Sequence, residues 1–121
     1  MTVQEVANGL ANLCAEGKFD EAVARYYSED IVSVEPVGET RVVKGLAAVQ
    51  KKGEEFAKTC EIVSTKITGP FVSETGFALR FTMEAIMKAT GAKVPMDEMA
   101  LYEVVDGKVV REEFFYNAPG M

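Results

Sequence analysis

Glu35 closes an apolar run, Ile31-Val32-Ser33-Val34, and stands directly before Pro36. A carboxylate there is either a solvated strand end or a base aimed into a pocket. Two further carboxylates and two tyrosines could share its chemistry. Strict alternation puts Glu112 on one face of a terminal strand with Val110, Phe114 and Tyr116, and Asp97 on one face with Met99. Tyr27 ends a helical pattern after Phe19, Ala22 and Val23. Close carboxyls share a proton, and one can then act as an acid while its neighbour acts as a base. The bland alternatives are a solvated sheet edge for Glu112, a wet loop for Asp97, and core aromatics with a wet hydroxyl for Tyr27 and Tyr116.

The residues that are missing narrow the choice. The chain has no histidine. Ser-His-Asp and Cys-His catalysis and imidazole metal sites are therefore excluded. Acid–base work falls to carboxylates, tyrosines or lysines. Cys14 and Cys60 are far apart without zinc-ligand spacing, and each falls on an apolar helical face. They read as buried, reduced thiols. No P-loop or GxGxxG occurs, and no metal or cofactor is suggested.

The elements that must position these groups follow from periodicity. Thr2-Val3-Gln4-Glu5 is a capping box, and Val3, Val6, Ala7, Leu10, Leu13 and Cys14 then share a helical face. A second helix is expected from Asp20 to Tyr27, a strand over 31–35, and a loop from Pro36 to Thr40. Gly45 opens a third helix to Cys60, with Leu46, Val49, Gly53, Phe56 and Cys60 as its inner stripe. Lys51, Lys52, Glu54, Glu55 and Lys58 are expected to face water. Gly53 in mid-helix suggests close packing. Strands follow: 61–68, closed by Thr68-Gly69-Pro70, then 77–89, 96–105 and 109–118, with a hairpin at Asp106-Gly107. On the second of these, Leu79, Phe81 and Met83 share a buried face.

This order is α+β: three helices in the first half, packed in a curved, mostly antiparallel sheet. The 121 residues form one domain, 1–121, large enough for a core without staples. A net charge of −6 argues against nucleic acid and anionic membrane as partners. No run is long enough to span a bilayer, and the first residues lack a signal-peptide pattern, so a soluble, cytoplasmic protein is expected.

Several words in this order resemble the ketosteroid isomerase branch of the NTF2-like, or SnoaL-like, superfamily. They are Gln4-Glu5-Val6, Glu29-Asp30, Glu35-Pro36-Val37-Gly38, Gly45, Thr68-Gly69-Pro70 and Asp106-Gly107-Lys108. The resemblance implies a cone-shaped α+β fold, a small hydrophobic ligand and a homodimer formed through the outer sheet face. It makes Glu35 the counterpart of an aspartate that moves a proton next to a ketone. Tyr27 matches a supporting tyrosine, and Tyr116 an aromatic of the last strand. The tyrosine that holds the oxyanion falls on Ala11 and the protonated acid on Met99, so both donors are absent by this count.

The expected ligand wall is then Tyr27, Leu79, Phe81, Met83, Met99, Glu112, Phe114 and Tyr116, with Glu35 as base. Two further readings stay open. One is a non-catalytic binding module for a hydrophobic molecule. The other is a structural dimer whose cone is filled by its own side chains.

Overall fold

Helix α1 runs Val3–Ala15 and opens with the expected box: the Glu5 N–H donates to Thr2 Oγ1 at 3.1 Å, and the Thr2 N–H donates to Glu5 Oε1 at 3.0 Å. This computed structural model describes residues 1–39 and 41–117. Val6, Ala7, Leu10, Ala11 and Cys14 form the buried face of α1, as the spacing requires.

Helix α2, Phe19–Tyr26, stops one residue short of expectation. Tyr26 closes its buried face, and Tyr27 already has extended backbone and opens strand β1, Tyr27–Val34. The polar residues that read as a turn, Ser28 to Asp30, lie where the β1–β6 register slips, between Tyr27 and Val32. A slip of this kind leaves residues unpaired, so Glu29 and Asp30 can stay exposed inside a strand.

A short edge strand, β2 (Val42–Lys44), was not evident from the sequence, because three residues are too few to show alternation. Helix α3 covers Leu46–Thr59 behind Gly45, whose φ of 96° suits glycine and whose N–H donates to the Ile31 carbonyl at 2.8 Å. Its inner stripe is narrower than expected. Val49 is buried, but Phe56 is 42% exposed. Gly53 does not mark a close approach, since a Cβ there would meet only Asp20 Oδ1 at 3.9 Å. The close approach is at Gly9 of α1, where a Cβ would overlap the Tyr26 hydroxyl.

The remaining strands are β3 (Cys60–Val72), β4 (Gly76–Met87), β5 (Lys93–Val105) and β6 (Lys108–Phe115). Thr68-Gly69-Pro70 does not end β3. A register shift between Thr68 and Phe71 lets pairing with β4 resume beyond the proline. The expected end of β6 at Ala118, like Thr40 in the loop, lies outside the described residues. Asp106 and Gly107 both have positive φ, 50° and 77°, as the two-residue hairpin requires.

One six-stranded sheet results, in the order β2-β1-β6-β5-β4-β3. Only β1 and β6 pair in parallel; every other pair is antiparallel. Helix α1 lies on β3 and β4, and α3 on β1, β2 and β3. Leu10, Ile31, Leu79 and Val109 are at the centre of the core, each at most 1% exposed. The expected α+β class, three helices against a curved mixed sheet, therefore holds. The sheet is open, not closed into a barrel.

Candidate functional site

Glu35 follows β1 directly, and both its side-chain oxygens are engaged. Its N–H donates to the Arg41 carbonyl at 2.7 Å, which closes the β1–β2 connection and fixes the Cα. The Lys52 ammonium donates to Oε1 at 2.9 Å, and the Tyr116 hydroxyl donates to Oε2 at 2.7 Å. The Glu35 side chain is 20% exposed and that of Lys52 31%, so the pair stands at a rim within reach of solvent.

Lys52 was expected to face water; it turns inward. It lies three residues after the buried Val49, one helical turn along the same face. Its stem covers apolar surface while its ammonium meets Ser33 Oγ at 2.8 Å and stands 5.5 Å from the centre of the Phe114 ring. Hydropathy patterning treats every lysine as wet and gave no signal for this one.

Behind the rim a hydrogen-bonded chain runs into the core. Ser33 Oγ donates to Glu112 Oε2 at 2.7 Å, and the Tyr27 hydroxyl donates to Glu112 Oε1. Glu112 is 3% exposed and Ser33 is fully buried. Burial pushes the Glu112 carboxyl up, against the lowering effect of Tyr27, Ser33 and Lys52. Burial, then the Glu112 charge, also pushes the Tyr27 and Tyr102 hydroxyls up, so both stay neutral. Cys14 is raised to about 12, chiefly by burial, and is inert as a nucleophile.

The facing of β6 has a local cause. Val109 pairs with Val104 and Arg111 with Glu103, so Val110 is an extra residue. It resets the alternation: Val109 and Glu112 both point inward, and Val110 leaves the face that the sequence shares out to it. Phe114 and Tyr116 keep the inward face with Glu112, both half-buried.

On β5 the inward residues are Glu98, Ala100 and Tyr102. Met99, expected on the ligand wall, is 39% exposed on the opposite face, and Asp97 is there too, paired with Arg80 at 2.7 Å. A miscount of one residue in a strand exchanges its faces. Glu98 is thus the site residue that sequence reasoning missed. It pairs in register with Phe81 and shares its inner wall. No side-chain hydrogen bond joins Glu98 to the other described residues. Burial, then the Glu35 and Glu112 carboxylates, pushes Glu98 up to about 7, with Lys52 opposing. Tyr116 is also pushed up, by burial and then by its bond to Glu35, and stays a neutral donor.

Of the other wall residues, Phe81 and Met83 are 4% and 8% exposed and lie at the inner edge of the cluster. Leu79 has no exposed surface, so it borders no space that admits water and is core. Two clefts lie elsewhere: one of about 390 Å³ around Phe71, Leu101 and Arg111, and one of about 290 Å³ between Asn8 and Asn12 of α1 and Ile67 of β3. Neither reaches Glu35, Glu98 or Glu112. The polar cluster runs from the buried Glu112 and Ser33 to the partly exposed Glu35 and Lys52. Among the described residues no set of side chains has the makings of a metal site, and no helix is long and apolar enough to cross a membrane.

Comparison with known proteins agrees with this fold. The model of the SnoaL-like domain family matches residues 1–116. A protein of Mesorhizobium loti, provisionally named a SnoaL-like polyketide cyclase with carbohydrate phosphatase in brackets, is 36% identical with a TM-score of 0.90, over 96% of this chain and 100% of that one. A provisionally named polyketide cyclase of Pseudomonas putida is 18% identical with a TM-score of 0.74, over 97% of this chain and 92% of that one. A Catenulispora acidiphila protein with a ketosteroid isomerase-like fold, solved with trimethylamine, is 11% identical with a TM-score of 0.76, over 96% and 88% of the two chains. At such identities the last two share the fold alone. No curated protein matches the sequence. The chain belongs to the SnoaL-like domain family and has its ketosteroid isomerase-like, NTF2-like fold.

Proposed function

We propose that the chain binds a small, largely apolar carbonyl compound at the rim cluster and moves a proton on it, as an isomerase-like enzyme. Glu35 is the base, and Glu98 is the acid that donates to the carbonyl oxygen. One observation carries the reading: two carboxyls in unlike surroundings lie close enough for the charge of Glu35 to act on Glu98. Glu35 has an ammonium and a hydroxyl on its oxygens. Glu98 has neither and is pushed up to about 7, chiefly by burial. Such a pair can divide the roles of base and acid near neutral pH. Phe81, Met83 and Phe114 supply the apolar side, and membership of the SnoaL-like family is consistent with a ligand-binding or isomerase-like role.

The test is turnover of a Δ5-3-ketosteroid, read as absorbance of the conjugated enone. Glu35→Gln keeps the size and removes the base, so its turnover is expected to fall by about 10³-fold. No turnover by the wild type would remove this substrate class. Steroid binding by both proteins, with turnover by neither, would instead mark a binding module.

The homodimer is a second proposal, carried by the other side of the sheet. Phe71, Leu101, Met99 and Phe115 are 61, 48, 39 and 45% exposed there, and Phe71, Ala78 and Leu101 lie in one row across three strands. Ion pairs Arg80–Asp97 and Arg111–Glu113 flank them, offering both signs to a second copy about a two-fold axis. Sedimentation equilibrium is expected to give a dimer for the wild type and a monomer for Leu101→Glu. A monomeric wild type at about 100 μM, a concentration at which even a Kd of about 1 μM gives mostly dimer, would dismiss it.

A further inference from the structure

We propose that Lys52 is the second, charged donor to the substrate oxygen, so that the site selects ligands that carry or develop an oxyanion. This rests on the reading that a small molecule occupies the rim cluster. An ammonium has three N–H donors. Lys52 spends one on Ser33 Oγ at 2.8 Å and one on Glu35 Oε1 at 2.9 Å. Among the described residues the third has no acceptor, while the side chain is 31% exposed and so within reach of a ligand.

The two bonds and the Phe114 face, 5.5 Å away, hold the charge in one place before any ligand arrives. A donor fixed in advance needs no reorganisation as charge develops on an oxygen. Tyr116 is the weaker candidate, because its single O–H is committed to Glu35 at 2.7 Å. Proton transfer to Glu35 would also neutralise the carboxylate beside Lys52. The ammonium would then turn its attraction to the new oxyanion as that charge forms.

The experiment uses 2-naphthol and substituted naphthols of graded acidity, with 2-methoxynaphthalene as the ether that cannot ionise. The wild type is expected to bind the naphthols as naphtholates, visible by absorbance, with ionisation on the protein favoured by about tenfold over water. Lys52→Met is expected to lose the naphtholate band while its affinity for the ether stays within about twofold. Lys52→Arg, which keeps the charge, is expected to retain the band and guards against a folding defect. A band that survives Lys52→Met, or naphthols bound only as neutral species, would overturn the role of Lys52 and leave the binding site standing. Failure of the wild type to bind even the ether would take both readings down.

Discussion

Leu79→Ala is expected to lower the unfolding free energy by about 3 kcal/mol, the middle of the range for truncating a fully buried leucine. The side chain has no exposed surface and sits opposite Ala100, which is equally buried. Ala100 cannot fill the space that truncation leaves, because its side chain is a single methyl and backbone pairing between β4 and β5 fixes its place. Urea unfolding should show a lower midpoint with an unchanged slope. The same substitution should leave ligand affinity at the rim nearly untouched. If Leu79 instead lined a hydrated pocket, its surface would already be wet, and truncation would cost about 1 kcal/mol or less. A loss that small, coupled to a change in affinity, would reinstate it as a ligand contact.

Stability should fall as the pH rises from 5 to 8, and Glu98→Gln should remove most of that fall. Folded Glu98 keeps its proton up to about 7, whereas the unfolded chain releases it near 4.5. Between those values the folded state binds more protons, so its stability declines with rising pH. The contribution is fully present below 4.5 and lost above about 7. Glu112, raised by burial, acts in the same direction and leaves a residual slope. The shift of Glu98 is worth at most about 3 kcal/mol, and solvent screening of this half-buried group makes it less. Glu98→Gln is thus expected to exceed the wild type by about 2 kcal/mol at pH 8, and by much less at pH 5. The charges that meet Glu98 are Glu35 beyond β1, Glu112 on β6 and Lys52 on α3. Urea titrations at four pH values would decide it; parallel curves for the two proteins would refute the assignment.

Much of this was legible in residue order. The capping box, the α1 face, the Asp106-Gly107 hairpin and the alternation of β4 are local signals, and each survives folding intact. Glu35 was legible for the same reason, since a charge before a proline at the end of an apolar run is visible in five residues. Lys52 and Glu98 were not. The inward turn of Lys52 depends on acceptors 17 and 19 positions away in sequence. The facing of Glu98 depends on strand register, where an error of one residue is invisible in composition and decisive in space. Val110 shows the same limit: an unpaired residue changes the phase of a strand without changing its hydropathy.

Strand β5 interleaves two independent messages. Its even positions, Glu98, Ala100 and Tyr102, face the helices; its odd positions, Met99, Leu101 and Glu103, face outward. A point substitution edits one message and spares the other. Natural variation can therefore retune the polar rim without disturbing the outer surface, or reshape that surface without touching the rim. An insertion of one residue has no such freedom. Unless a bulge absorbs it, as one absorbs Val110 in β6, it exchanges the two sets on one side of the insertion, so that substitutions are the gentler route by which this strand can change its chemistry.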